Sequence, residues 1–332
     1  MKPSESAKNV LSLLLRVGVS VGILFYLFRK IDTASVFVLL KQADFHVLYL
    51  VAIAYLSTNL ILFLRWLILM KGLDLRVPLK GVVVYFFIGL FFNLFLPSST
   101  GGDIIKIFGV CKFTLQKAKV VASVVLDRLC GFMAIVIVAF FSFVFGHRVV
   151  NDLSMLVAIG VMAVVSSSIM VILFNEKLYS FGCRIFNRIP KIKNKLMDLH
   201  YDIVLLKDKP MAIIWAVLIS CLAQVILALT WFLIARALQQ NIPMVYFLIF
   251  IPIICVVSSF PSIGGLGTSE AAAVYLFSKA GVPSAAALSF SLINRIFTWA
   301  MGLIGGVVYV TQLSPRRVQH HSSPAGVDSK ES

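Results

Sequence analysis

The sequence predicts an all-α polytopic membrane protein, and three observations carry the prediction. Of its 332 residues, 60% are hydrophobic and only 13% charged, whereas a soluble domain has about 25% charged residues. Several apolar stretches exceed the ~20 residues that a helix needs to cross a bilayer. The bases behind the formal net charge of +16 fall in loops between those stretches. Positive-inside topology and anionic headgroups account for that placement better than nucleic acid does, so no nucleic-acid partner is expected.

Taken in order, the chain gives about eight transmembrane helices. A basic start precedes an apolar run over 10–28, longer than a signal-peptide core, which reads as a retained first helix. A charged loop leads to a second span over 47–69, with Arg65-Trp66 near its end. That pair reads as an interface anchor. The third span, 81–96, runs into a Pro/Gly break, and the segment 104–113 beyond it is too short to cross alone. Spans over 120–145 and 153–174 follow. Residues 175–210 are polar and basic, and their apolar spacing predicts an amphipathic interfacial helix interrupted at Pro190. Spans over 211–233 and 245–260, a second break, a short Ala-rich helix over 269–280 and a last span over 285–313 complete a single membrane domain, 1–313. The remainder, 314–332, reads as a disordered polar tail.

The two breaks are copies of one pattern. Residues 93–106 read Asn-Leu-Phe-Leu-Pro-Ser-Ser-Thr-Gly-Gly-Asp-Ile-Ile-Lys, and residues 258–270 read Ser-Ser-Phe-Pro-Ser-Ile-Gly-Gly-Leu-Gly-Thr-Ser-Glu. In each, a Pro (Pro97, Pro261) acts as a hinge before a Gly pair and then a carboxylate. An arginine follows each carboxylate after the same 25 residues, Asp103 to Arg128 and Glu270 to Arg295. The chain is therefore an internal repeat, about 47–174 and 211–313. If each broken segment, with the half-helix before it, acts as one crossing of the membrane, the Lys and Arg divide 21 inside against six outside; if the segments only dip in and return, the division is sixteen against twelve. The first division obeys the positive-inside rule, places both termini in the cytoplasm and makes the two repeats inverted. Inverted repeats with Pro/Gly-interrupted segments at matching positions point to a transporter binding site.

Charges in apolar sequence are costly, roughly 2.5–3.5 kcal/mol each at mid-bilayer on insertion scales. Asp103, Arg128, Glu270 and Arg295 are thus expected to pair within each half or to face a water-filled cavity. Gly101 and Gly102 in one half, and Gly264, Gly265 and Gly267 in the other, permit close backbone approach and offer amide N–H groups at a helix start, a site for an anion such as a phosphate headgroup. A plainer assignment stands beside this one: Asp103 and Glu270 complement the helix starts, and each arginine is their structural partner. Lys106 shares a helix face with Asp103 and can neutralise it or reach a lipid phosphate; the sequence leaves both open. Asp127 has the uncharged counterpart Asn294 in the other half. Five cysteines without CxxC or Cys/His spacing imply no metal site, and no histidine cluster, nucleophile–base pair or phosphate-binding loop implies an enzyme or a cofactor.

With these motifs placed, the chain resembles the flippase-like transmembrane region of the lysylphosphatidylglycerol synthetase family. Arg65-Trp66, Pro97 with Gly101-Gly102-Asp103, Asp127-Arg128, Pro261 with Gly264-Gly265-Leu-Gly267, Glu270 and Arg295 carry the resemblance over roughly residues 10–312. Two positions depart from it, since the family usually has Arg at Lys106 and commonly Glu at Asp127. Lys keeps the charge but loses bidentate recognition of phosphate. No stretch here resembles the soluble aminoacyl-transfer domain of the synthetases. The resemblance therefore implies a lipid translocase without lysyl transfer, in the bacterial cytoplasmic membrane, with membrane lipids of anionic or lipid-linked headgroup as its partners. A non-transporting partner of a glycosyltransferase or lipid-modifying enzyme, docked through 175–210, is the alternative.

Overall fold

A computed structural model describes residues 22–96, 101–146, 153–175, 209–259 and 264–313. The hinge prolines Pro97 and Pro261, residues 176–208 of the basic segment and the tail lie outside the described residues. Within them the regular structure is eleven helices and no strand. These are α1 (22–30), α2 (Thr33–Lys41), α3 (Phe45–Gly72), α4 (Leu79–Phe95), α5 (Gly101–Val110), α6 (Lys117–Gly146), α7 (Leu153–Phe174), α8 (Pro210–Ala237), α9 (Met244–Ser258), α10 (Thr268–Lys279) and α11 (Ser284–Leu313). Four of them, α3, α6, α8 and α11, are long and apolar enough to cross a membrane, and shorter apolar helices lie in α4, α7 and α9. These four are counted among the described residues alone; α4 and α9 end at the breaks, as the spans over 81–96 and 245–260 are expected to, and most of the first expected span lies outside the described residues. One departure is α2, in a segment expected to be loop. Asp32 starts it by accepting from the Ala34 amide at 3.0 Å, as Asp44 starts α3 by accepting from the His46 amide at 2.8 Å.

The centre of the bundle is an antiparallel pair, α3 against α8. At one end Gly72 lies against Ala212, and Lys209 reaches Asp74 at 2.6 Å. At the other end the Asp44 amide donates to the Ala237 carbonyl at 2.9 Å. Their outward sides carry exposed apolar residues such as Tyr49, Leu56 and Leu60 on α3 and Trp215, Leu218 and Leu222 on α8. Such a surface is what a bilayer covers.

Around this pair stand two helical hairpins. In the first, α4 and α5 run antiparallel, with Gly81 facing Phe113, Tyr85 facing Gly109 and Gly89 facing Gly102. In the second, α9 and α10 fold together, and Gly265 lies beside Ser258. The long helices then cross over: α6 packs on α9, and α11 packs on α4. Gly302, Gly305 and Gly306 of α11 receive Leu94, Phe87 and Phe91, the small-residue contact that lets helices approach in lipid. The short α10 is anchored by Phe277, whose ring meets Phe247, Phe250 and Phe290 at centroid distances of 5.1, 5.2 and 5.4 Å. The tips of the two hairpins touch, because Gly264 sits against the carbonyls of Asn93 and Leu94.

Gly102 shows why the first hairpin needs glycine. A Cβ there would collide with the Gly89 carbonyl oxygen. Gly102→Ala is expected to cost about 1–3 kcal/mol, read as a lower unfolding midpoint in detergent; a midpoint equal to that of the parent would mean the hairpin yields without strain.

Candidate functional site

The buried charges assemble where α5 and α6 meet α3. Asp103, in the first turn of α5, is 6% exposed and accepts from Arg128 Nε at 2.5 Å. Lys106, one turn along, approaches the other carboxylate oxygen at 3.4 Å and lies over the rings of Phe86 and Trp66. One residue before Arg128, Asp127 binds Arg65 Nε at 2.6 Å, and Arg65 Nη1 donates to Ser220 on α8 at 3.1 Å. Trp66 Nε1 donates to Ser123 at 3.2 Å. The expected pairing of Asp103 with Arg128 is present, and so is the Lys106 contact with Asp103. Arg65-Trp66 is a correction: it is no interface anchor but a buried connection from α3 to α6. A carboxylate at Asp127, inside an apolar span, is the signal that asked for such a partner.

The second half holds its pair differently. Arg295 of α11 directs Nε and Nη2 to Glu270 Oε1 at 3.1 and 2.8 Å. Its remaining donors go to the carbonyls of Gly264 and Gly265, at 2.7 and 3.1 Å, and to Ser269 Oγ at 2.6 Å. The other oxygen of Glu270 accepts from the Gly267 amide at 2.7 Å, closing the start of α10, and from Ser269 Oγ at 2.9 Å. Gly264, Gly265 and Gly267 adopt φ of 54°, 76° and 86°, which only glycine enters readily. This is a clamp around a turn, and it matches the plainer assignment for Glu270 and Arg295.

Two of the amides expected to face an anion are engaged inside the fold, Gly102 by Asn93 Oδ1 at 2.7 Å and Gly267 by Glu270. These glycines shape the hairpins, Gly101 among them, since a Cβ on it would strike Leu96. Arg128 and Arg295 do not share one cavity. Arg128 lines a pocket of about 270 Å³ between α3, α6, α8 and α9, together with Arg65, Asp127, Ser220 and Gln224. Arg295 lines another, about 320 Å³, with Leu94, Gly264 and Trp299. Sequence reading missed Ser220 and Gln224, whose four-residue spacing on an apolar helix is their only mark.

A polytopic helical membrane protein with two charge-bearing hairpins packed about a central helix pair is the class these features define. The chain belongs to the family described as the lysylphosphatidylglycerol synthase TM region, which matches residues 13–306. The resemblance read from the motifs is thereby borne out. It is also similar to the UPF0104 membrane protein PH1989 of Pyrococcus horikoshii, at 24% identity over 327 residues, covering 89% of this chain and 95% of that one. No solved structure matches it.

Proposed function

We propose that this protein is a lipid translocase that moves a polar-headed phospholipid or lipid-linked glycan between the leaflets of the cytoplasmic membrane. The observation that carries the proposal is a pair of hairpins touching at their tips, with buried ion pairs beside a polar pocket between the halves. Ions at such depth are expensive unless they serve a polar path or one another. The antiparallel run of α3 against α8, which start the two repeats, supports an inverted arrangement, as does the exchange of α6 and α11 between hairpins. In that arrangement both termini lie in the cytoplasm, and the chain itself carries out no covalent chemistry. A lipid head would enter the polar pocket while its chains stay in the bilayer. The alternative, a docking partner for a glycosyltransferase or lipid-modifying enzyme, rests on the basic segment 175–210.

The test is headgroup-labelled lipid movement in proteoliposomes, with anionic, zwitterionic and lysyl-modified lipids compared. Asp103→Asn, which weakens the hold on Arg128 and Lys106, is expected to slow movement at least tenfold while the protein still inserts. Equal movement in the variant would remove Asp103 from the path. No movement by folded parent protein would favour the docking role.

A further inference from the structure

The two halves repeat the same pair of charges, yet their surroundings are unequal. Around Asp103, three cations (Arg65, Lys106 and Arg128) stand against two carboxylates, Asp103 and Asp127. Around Glu270, one arginine meets one carboxylate and five further hydrogen bonds close the turn. The Arg128 side chain is 38% exposed and the Arg295 side chain 12%. Asn294, standing where the first half has Asp127, leaves its Oδ1 without a hydrogen-bond partner. The first half therefore carries an excess of positive charge at its pocket, and the second is neutral, with the donors of its arginine taken up by the turn even where it borders a pocket.

Gln224 adds an independent observation. It is 8% exposed on α8 and lines the Arg128 pocket, and its Nε2 has no oxygen acceptor, only the weakly accepting Cys255 thiol beside it. A buried amide donor left with so weak an acceptor costs stability and is uncommon in a finished core. Facing it across the same pocket are Arg65 and Arg128, while Ser258 and Ser259 of α9 border it with hydroxyls that now point to the Cys255 carbonyl. Guanidinium, amide and hydroxyl donors on four helices converge on one space, and the carboxylate among them, Asp127, is engaged by Arg65. Such a set fits a tetrahedral oxyanion with several acceptor oxygens.

We propose that the pocket between α3, α6, α8 and α9 is the phosphate-binding site, with Arg65 and Arg128 supplying charge and Gln224 donating its amide, and that the Glu270–Arg295 pair is a structural clamp with no ligand. The proposal rests on the translocase reading for the place of the site in a lipid path, and on the pocket alone for its chemistry. It divides the repeat into a half that binds and a half that holds.

The experiment is equilibrium binding to the delipidated protein in detergent. Dihexanoyl phosphatidylglycerol, inorganic phosphate and dihexanoylglycerol are the three probes. The phosphodiester lipid is expected to bind and the uncharged diacylglycerol not to. Gln224→Leu should weaken phosphatidylglycerol at least about tenfold, the scale of one hydrogen bond to a charged group. Gln224→Glu, which sets a carboxylate against the phosphate, should abolish binding. If inorganic phosphate competes with equal dependence on Gln224, the site takes free phosphate; if it does not, the site takes the lipid headgroup. Either result supports an oxyanion site.

Gln224→Leu also removes the orphan amide, so the unliganded variant should unfold at a higher temperature than the parent. The further rise that phosphatidylglycerol gives the parent should shrink in it. Binding of phosphatidylglycerol within twofold of the parent in both Gln224 variants would overturn the assignment. So would an Arg295→Lys variant that stays folded and loses as much affinity as Gln224→Leu. Because the assay has no leaflets, binding without translocation leaves the site standing, and translocation with Gln224-independent binding removes only the site.

Discussion

Glu270→Ala should destabilise the protein by about 3–5 kcal/mol, the usual consequence of removing one partner of a buried ion pair. The Arg295 guanidinium would then face only two carbonyls and a hydroxyl with its side chain 12% exposed. The start of α10 would also lose the acceptor for the Gly267 amide. Arg295→Ala should cost at least as much, because it leaves Glu270, 1% exposed, with only the Gly267 amide and the Ser269 hydroxyl. Glu270→Gln keeps the shape and an acceptor for Gly267, and should fall between Glu270→Ala and the parent. Unfolding of the purified protein followed by helical signal in graded denaturing detergent measures all three. A midpoint for Glu270→Ala equal to the parent would mean that the clamp does not hold the turn.

Arg65→Met should cost a similar amount, since it leaves Asp127 buried and unpaired beside α3. Asp127→Leu alone should also destabilise, by stranding Arg65 with Ser220 as its remaining partner. The double variant, Arg65→Met with Asp127→Leu, should recover most of the loss, because it removes both desolvated charges together. A double-mutant cycle reads this directly, with a coupling of about 2 kcal/mol or more expected and simple additivity as the contrary outcome. Stability and ligand binding should then separate. The double variant folds, but its pocket has lost one of the two guanidinium groups proposed to attract phosphate.

Much of this architecture can be read from the residues. The spans over 47–69, 120–145, 153–174 and 285–313 correspond to α3, α6, α7 and α11 within three residues or so at each end, because long apolar runs leave few alternatives. The ion pairs Asp103–Arg128 and Glu270–Arg295 were legible because both intervals are 25 residues and both carboxylates are costly in lipid. Arg65 was misread because an arginine near the end of a span ordinarily reaches the headgroups, and only its distant partner, Asp127, reveals otherwise. Gln224 was silent for a similar reason. One amide in 28 apolar-rich residues of α8 declares nothing until the fold shows that no oxygen acceptor meets it. The helix α2 escaped notice because its cap, Asp32, looks like any loop carboxylate until it accepts from Ala34.

Vectorial synthesis imposes an order on the contacts at the hairpin tips. When α5 leaves the ribosome, its Asp103 has no counter-ion except Lys106, since Arg128 lies 25 residues further along. At roughly 5–20 residues per second, that partner arrives within seconds. The contact between Gly264 and residues 93–94 comes far later, after the whole of α8 and α9 has been made. The bed that α11 provides for α4 comes last of all. Until then the first hairpin lacks the contacts that α11 and Gly264 give it in the finished fold. A nascent chain arrested before α11 should present the α4 face, with Phe87 and Phe91, to proteases and quality control, which makes completion of the final helix the event that seals the molecule.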